Sequence, residues 1–174
     1  MRTARATGVV LLTAIVAATL GGCTAIVPLQ PADDANNPGC ADVIVRLPDT
    51  VADQPRRETN AQSTGAWGSP TSVLLYCGVE VPSASTFTCV EVDGIFWLRN
   101  DDDADSGTFT FRLYGREPAI DVVVDTDLAG TFPALSDLGR AVSYTKPNGH
   151  ECVGIEDATP APSPAPSPAP SDAD

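Results

Sequence analysis

The order of apolar and polar positions predicts a chain rich in short strands. Val43, Val45 and Leu47 occupy alternate positions, which predicts a strand over residues 41–47 that ends at Pro48. Apolar runs and further alternation predict the remaining strands, and an Asp93-Gly94 pair between two of them is a hairpin turn signal. These further strands lie at residues 72–76, 87–92, 95–98, 109–114 and 119–124.

The clearest helical pattern lies near the end of the apolar part of the chain. Leu135, Leu138 and Val142 are spaced at i, i+3 and i+7, which predicts a helix over residues 133–144. Because a single apolar helix face must be buried, this helix should lie on the sheet. The pattern therefore predicts an α+β domain, in which a mostly antiparallel sheet of about five strands is packed by one or two helices.

A second, shorter helix is predicted after the first strand. Thr50 suits a helix N-cap and Asp53 suits a first helical turn, while Pro55 would limit the helix. The segment 58–71 that follows is rich in Gly, Ser, Thr and Asn, and it is interrupted by Trp67. No element is predicted within it.

The N-terminus has the pattern of an export signal. Arg2 and Arg5 precede an uncharged run over residues 8–20, which is too short for a stable membrane span and has the length of a signal-peptide apolar region. Leu20-Gly21-Gly22-Cys23 follows and resembles the lipobox of bacterial lipoproteins. We therefore expect residues 1–22 to be a signal peptide and Cys23 to be lipidated. An uncleaved anchor or an ordinary secretory signal is the alternative.

Composition divides the rest of the chain into three parts. Residues 23–39 contain several prolines without a sustained apolar period, which favours a lipid-anchored linker. Residues 40–157 form the predicted globular domain. Residues 158–174 contain six prolines among Ala, Ser and Asp, which predicts a disordered tail. That tail could be a passive solubilising segment, a spacer in the cell wall or a glycan acceptor.

The charge of the chain excludes one class of function. The sequence has 10 Lys and Arg against 23 Asp and Glu, for a net charge of −13. Loss of residues 1–22 would remove two arginines and change this value to −15. Nucleic-acid binding requires a basic surface, so we expect no nucleic-acid partner. A lipid, rather than surface charge, would have to supply attachment to an anionic membrane.

The cysteine count fits the same picture of an exported protein. With Cys23 lipidated, an even number remains, which predicts two disulfides in an oxidising compartment. Cys77 and Cys89 could pair across a hairpin, or Cys40 could pair with Cys77 while Cys89 pairs with Cys152. No Cys-x-x-Cys pair is present, which disfavours zinc.

A series of short motifs follows one order along the chain. They are Cys40, Leu47-Pro48, Arg56-Arg57, Ala66-Trp67-Gly68-Ser69-Pro70, Val73-Leu74-Leu75-Tyr76-Cys77-Gly78-Val79, Val92-Asp93-Gly94-Ile95-Phe96-Trp97, Tyr114-Gly115-Arg116-Glu117-Pro118, Val122-Val123-Val124 and Leu135-Ser136-Asp137-Leu138. This series resembles an actinobacterial family of secreted or lipid-anchored domains of unknown function with an Arg-Cys-Gly-Val and a Gly-Val-Asp-Trp pattern. The resemblance covers about residues 40–145.

The resemblance carries structural rather than chemical implications. Relatives commonly keep only the cysteines that match Cys40 and Cys77, which implies that these two pair and that Cys89 and Cys152 form the second bond. The chain departs from the pattern at Tyr76, where Arg is usual, and at Phe96, where Asp is usual. The family has no established activity, so the resemblance implies no reaction or ligand.

Two features of the sequence are candidates for metal binding or catalysis, an acidic loop and a single histidine. Asp101, Asp103 and Asp105 have the alternate spacing of a calcium loop, but Ser106 and Arg112 stand where an EF-hand needs Gly and Glu. A solvated acidic loop without a metal is therefore expected. His150 is the only histidine and lies within the turn-like segment 146–152, beside a predicted disulfide, so we expect no catalytic residue and no cofactor.

The most informative candidate site consists of scarce cations and one aromatic residue. Arg56, Arg57 and Arg116 could hold a carboxylate or phosphate, and Trp67 lies near the first two in the sequence. These four residues are the candidate ligand-binding residues. Alternatively, the arginines pair with nearby acids (Asp49, Asp53 or Glu58) and Trp67 fills the core.

Together these features favour a function outside the cytoplasm. We expect a non-enzymatic cell-envelope lipoprotein at the extracytoplasmic face of the membrane, with an envelope protein or a wall polymer as its partner. A carboxylate-based hydrolase of wall polymer or a structural spacer is the alternative. A buried carboxylate pair in a cleft would favour the hydrolase, whereas a shallow apolar or aromatic patch would favour the binding module.

Overall fold

The computed structural model describes residues 25–82 and 87–152. The predicted signal peptide, Cys23 and the proline-rich tail lie outside the described residues. The helices are α1 (Pro38–Ile44) and α2 (Thr131–Val142), and the strands are β1 (Thr50–Val51), β2 (Gln54–Arg57), β3 (Thr64–Trp67), β4 (Val73–Val79), β5 (Thr88–Val92), β6 (Ile95–Asn100), β7 (Thr108–Tyr114), β8 (Arg116–Glu117), β9 (Ala119–Asp125) and β10 (Lys146–Pro147).

The strands form one large sheet and one small one. The main sheet has the order β1-β2-β3-β4-β9-β7-β6-β5, β8 pairs with β10, and all these pairings are antiparallel. The α+β class and the mostly antiparallel sheet are confirmed. The predicted count of about five strands is too low, because eight strands join the main sheet.

The core lies between one face of the sheet and the two helices. Leu135 and Leu138 of α2 are buried against alternate valines of β9, Val122 and Val124. The helix contacts β1 at one edge of the sheet, β9 in its centre and β5 at the other edge, so the sheet curls around α2. None of the helices in the two described ranges is long and apolar enough to cross a membrane.

The prediction of a strand over residues 41–47 is wrong, because residues 41–44 belong to helix α1. The side chain of Asn37 accepts a hydrogen bond from the backbone N–H of Gly39 at 2.9 Å, and Pro38 occupies the first helical turn. Cys40 and Val43 are fully buried three positions apart, whereas Val45 is 75% exposed. The buried positions therefore follow the spacing of a helix, although the apolar residues alternate along the sequence as in a strand.

The short helix predicted from Thr50 is also wrong. Residues 50–57 form the β1–β2 hairpin, and its two turn residues, Ala52 and Asp53, have φ values of 47° and 61°. The side chain of Asp137 on α2 accepts a hydrogen bond at 2.8 Å from the backbone N–H of Ala52. This contact and two positive φ angles define a tight hairpin rather than a helical turn.

Two disulfides tie peripheral segments to the sheet. Cys40 of α1 bonds Cys77 of β4, with a Cα–Cα distance of 5.7 Å, and Cys89 of β5 bonds Cys152, at 5.9 Å. This is the pairing that the family resemblance implies, and the alternative Cys77–Cys89 bond is not formed. The second disulfide holds the last described residue against an edge strand of the main sheet.

Residues 25–39, which the sequence analysis assigns to a linker, contact the sheet. The carbonyl of Ala25 accepts a hydrogen bond from Nη2 of Arg57 at 2.5 Å, and buried Val27 forms a β-bridge with Thr59. The N–H of Asp34 donates to the carbonyl of Gly78 at 3.0 Å. The ordered fold therefore begins at least fifteen residues before Cys40.

Candidate functional site

An open apolar groove separates the first turn of α2 from one end of the main sheet. Its volume is about 330 Å³. Its apolar walls come from the core-facing side chains of β5 and β7 and from α2, which contribute Val90, Val92, Phe109, Phe111, Phe132 and Leu135. Grooves of this size and lining are typical of binding sites.

The start of α2 explains why the groove stays open. Leu135 is buried and fills its floor, while Phe132 lies one turn closer to the helix start and is 62% exposed. No side chain caps the helix at Gly130. Because α2 begins only at Thr131, Phe132 stays exposed in the described part of the chain and Phe109 of β7 is only partly buried, whereas Phe111 is buried. A large exposed aromatic side chain beside an apolar groove is a common mark of an interaction site.

One cation lies among the groove-lining residues. Nε and Nη2 of Arg99 donate to the carboxylate of Asp101 at 2.7 and 2.9 Å, and the guanidinium lies 5.9 Å from the ring centre of Phe109. The hydrogen bond and the negative charge of Asp101 raise the pKa of Arg99. The arginine is therefore already paired, and its charge does not dominate the groove.

Both ends of the groove carry carboxylates. At the hairpin end, Asp93 accepts a hydrogen bond from the hydroxyl of Ser136 on α2. At the other end, Thr126 Oγ1 donates to the carbonyl of Gly107 at 2.8 Å and so joins the acidic 101–107 loop to the segment that contains Asp127. Acidic residues therefore follow the lining residues Val92 and Thr126 at the two ends of the groove, while the lining itself contains one acid, Glu91, and one cation, Arg99.

The groove also lies along an edge of the main sheet. Val92 and Ile95 close a two-residue turn, so the backbone groups of Val92 and Val90 point toward β6. Those of Glu91 and Cys89 point away from β6, and β5 has no neighbour on that side in the described part of the chain. An extended segment could pair with this edge and direct alternate side chains into the groove.

The candidate residues Arg56 and Arg57 line a separate, more polar cavity of about 490 Å³ with Glu58, Thr59 and Thr64. Nη1 of Arg56 donates to the carbonyl of Leu47 at 3.1 Å, and Arg57 donates to the carbonyls of Gly68 at 2.8 Å and Ala25 at 2.5 Å. The two guanidinium groups are thus hydrogen-bonded to backbone carbonyls rather than to Asp49, Asp53 or Glu58.

Trp67 and Arg116 do not share that cavity. Trp67 is fully buried in the core, and its Nε1 donates to the carbonyl of Pro48 at 3.1 Å. Nη1 of Arg116 donates to the carbonyls of Ser143 and Thr145, which follow the C-terminal end of α2. The structure therefore places Arg56, Arg57 and Trp67 on the paired strands β2 and β3, with Trp67 as the cross-strand partner of Arg56, but it leaves Arg116 apart from them.

The acidic loop has local hydrogen-bond partners. Asp101 pairs with Arg99. The side-chain amide of Asn100 donates to the carboxylate of Asp102 and accepts from its backbone N–H, and Ala104–Ser106 form a 3₁₀ turn. Within residues 25–82 and 87–152, no group of three or more His, Cys, Asp and Glu side chains is arranged to hold a metal ion. The ring of His150 lies 5.9 Å from that of Tyr114.

Sequence reasoning missed the groove because its walls come from distant segments. Phe109 and Phe111 were assigned to a strand, and Phe132 falls just before the predicted helix. The sequence feature that could have revealed the groove is Phe132. It lies three positions before Leu135 on the same helix face, one residue before the predicted start of the helix. Burial of Leu135 and exposure of Phe132 depend on where the sheet ends, which the helical period does not give.

Comparison with known families gives one match. A family model described as "Protein of unknown function (DUF3515)" matches residues 3–150. No curated protein and no solved structure matches the chain.

Proposed function

Because the chain belongs to the DUF3515 family, whose description assigns no function, we propose a function from the chain's own features. The protein is a lipid-anchored, non-enzymatic binding module at the extracytoplasmic face of the cell membrane. Its groove takes an extended, basic segment of an envelope protein. The resemblance of its motifs favours an actinobacterial envelope.

The single observation that carries the proposal is the apolar groove with exposed Phe132. Its apolar walls suit aliphatic or aromatic side chains, and the outward backbone groups of Glu91 and Cys89 suit a paired strand. The acids at both ends favour Lys or Arg in that segment over acidic residues. A second copy of this chain is a poor occupant, because pairing two β5 edges would bring two acidic rims together.

Two further features support the location. Both described disulfides need an oxidising compartment, and they join Cys40, Cys77, Cys89 and Cys152 in two pairs. Leu20-Gly21-Gly22-Cys23 supplies a site for signal cleavage and lipid attachment. Stable anchoring follows if the attached lipid carries two or more acyl chains.

The hydrolase alternative has less support from the groove. Glycoside hydrolysis by carboxylates usually needs two acids that flank the scissile bond. Glu91 is the one acidic residue in the groove lining, and the strand register places its side chain on the opposite face from Val90 and Val92. The structural spacer alternative assigns no role to exposed Phe132.

Crosslinking in the native envelope tests the proposal. A photoreactive amino acid replaces Phe132 in one variant and Val45, which is 75% exposed on another part of the domain, in the matched control. We expect a defined envelope-protein adduct from position 132 and none from position 45. Equal adducts, or none at position 132, would reject the binding module. Cys23→Ala should abolish palmitate labelling, and retained labelling would reject the anchor.

A further inference from the structure

The proposed lipid at Cys23 would place one edge of the domain against the membrane surface. Ala25 is held to the domain by its hydrogen bond to Arg57 on β2. Only Thr24 lies between Ala25 and Cys23, so the two Cα atoms can be no more than about 8 Å apart. A lipid at Cys23 would therefore bring the surface around Ala25 and β2 to the level of the headgroups.

The side chains on this surface suit such a position. Ile26 is 56% exposed, although it is a large apolar residue and lies three positions after Cys23. Arg56 is exposed on the same edge of the sheet and forms no ion pair in the described part of the chain. The parallel bridge between Val27 and Thr59 places Ile26 alongside Glu58, and exposed Arg56 lies two residues before Glu58. Exposed apolar and basic side chains on one edge are a typical combination at a membrane interface.

The cavity beside Arg56 supplies further hydrogen-bonding groups. It is lined by Arg56, Arg57, Thr59 and Thr64, and the hydroxyls of the two threonines lie 2.7 Å apart. Both arginines donate to backbone carbonyls, but Arg56 is exposed and makes one such bond while Arg57 makes two, so Arg56 is the cation better placed to reach an incoming ligand. Thr59 adds a hydroxyl to the same lining. Glu58 also lines the cavity and opposes an anion.

We propose that this edge, formed by Ile26, Arg56, Arg57 and Thr59, binds anionic phospholipid headgroups in the leaflet that holds the anchor. This inference rests on the proposed lipidation of Cys23. The protein as a whole is acidic and is repelled by an anionic surface, so attraction confined to one edge orients the domain. Because β5 lies at the other end of the strand order from β1 and β2, we expect its edge and groove to lie farther from the lipid than β2 does.

The test uses the full, lipidated chain in nanodiscs that contain phosphatidylglycerol or only phosphatidylcholine. A nitroxide on the lipid headgroup broadens the amide signals of residues that approach the membrane. We expect broadening at Val27 and Thr59 but not at Glu91, and stronger broadening in the anionic discs. Equal broadening of Thr59 and Glu91, or none at either, would overturn the proposed orientation.

Charge and apolar variants separate the two contributions. Arg56→Gln should lower the ratio of membrane-contacting to free orientations about fivefold in anionic discs, whereas Arg46→Gln, which removes the same charge from the end of α1, should change it little. Glu58→Gln should raise the ratio. Ile26→Ser should lower it in both kinds of disc, with Val45→Ser as its matched control. An Arg56→Gln variant that behaves like wild type would reject the headgroup site.

Two controls identify the cause of a failure. Inorganic phosphate added to phosphatidylcholine discs should leave the Thr59 and Thr64 signals unchanged, and a saturable shift there would assign the cavity to free phosphate instead. Mass spectrometry of the purified chain reports the lipid at Cys23. Absence of that lipid refutes the proposed anchor, whereas a lipidated chain without a preferred orientation refutes only the headgroup inference.

Discussion

Arg112 of β7 and Asp121 of β9 are directly opposite each other on neighbouring strands, and their side chains form a bidentate ion pair. Nε and Nη2 of the arginine donate to the two carboxylate oxygens, each at 2.7 Å. The pair lies on the sheet face opposite α2, where the arginine side chain is 33% exposed and the aspartate side chain 14% exposed. Partial burial and matched fork geometry distinguish it from the exposed Arg46–Asp42 pair.

We expect Asp121→Asn to lower the free energy of unfolding by about 1–2 kcal/mol, because it leaves a partly buried guanidinium without its charged partner. The hydrogen bond and charge of Asp121 raise the pKa of Arg112. The charged arginine's contribution to the free energy of unfolding is thus complete at neutral pH and falls in strong alkali. Asp42→Asn, in the exposed pair, should cost no more than about 0.5 kcal/mol in the same urea titration. Equal effects would contradict this difference.

Tyr76 should make stability fall in alkaline solution. Burial raises the pKa of its hydroxyl above the ordinary value of 10.0. Above that pH the unfolded chain ionises at this position while the folded chain keeps the proton, so the free energy of unfolding falls until the folded pKa is passed. Denaturant titrations just below and just above pH 10.0 should show a smaller fall for Tyr76→Phe than for wild type.

Gly78 should tolerate no side chain. Its φ is +90°, and a Cβ atom there would collide with the backbone of Asp34, whose N–H donates to the Gly78 carbonyl. Gly94→Ala is the matched control, because Gly94 has a φ of +77° but open space around its Cβ position. We expect a cost of about 1–2 kcal/mol for Gly94→Ala from backbone strain alone, and at least about 2 kcal/mol more for Gly78→Ala.

Proteolysis distinguishes the two glycine variants further. Gly78→Ala should expose the segment around Asp34 to a protease, since that segment loses its backbone contact with β4. Gly94→Ala should leave this segment protected. If both variants lose equal stability and show the same cleavage, contact with residues 25–39 contributes nothing to the fold.

The two disulfides should differ in their reactivity toward a reductant. Cys40 and Cys77 are completely buried, whereas Cys89 and Cys152 are partly exposed. Because thiol–disulfide exchange requires access to the sulfur, limiting reductant at neutral pH should open Cys89–Cys152 first. Alkylation followed by peptide mass mapping measures the order. In denaturant both disulfides are accessible, so Cys89–Cys152 should no longer be reduced first. If it is still reduced first there, burial does not cause the difference.

The sequence predicted those elements whose burial matches a simple period. Val122 and Val124 alternate in a central strand, and Leu135, Leu138 and Val142 share one helix face, so both elements were found. The strand β3 was missed because Thr64, Gly65, Ala66 and Trp67 are all buried, and mostly small residues give no alternation. Residues 41–47 were predicted as a strand because Val43, Val45 and Leu47 alternate, whereas the Asn37 cap and Pro38 begin a helix just before them.

The candidate site was harder to predict than the fold. Arg56 and Arg57 are neighbours in sequence and stay together in the structure, but Arg116 caps the end of α2 instead. Trp67 carries an indole that suits a binding site, yet the sheet buries it completely. The groove depends on the distance between the start of α2 and the edge of the sheet, which arises only when eight strands pack together.

The two flanks of the domain are attached toward opposite ends of the main sheet, with Ala25 at β2, next to the edge strand β1, and Cys152 at the edge strand β5. A pull between Ala25 and Cys152, as the proposed membrane anchor would allow, would therefore load the hydrogen-bond ladders between the strands rather than a single strand along its length. The covalent bonds, with sequence separations of 37 and 63 residues, would limit how far the chain can lengthen under that tension. Stretched between its two ends, the oxidised domain would act as a short, stiff link, and reduction would convert it into a much longer one.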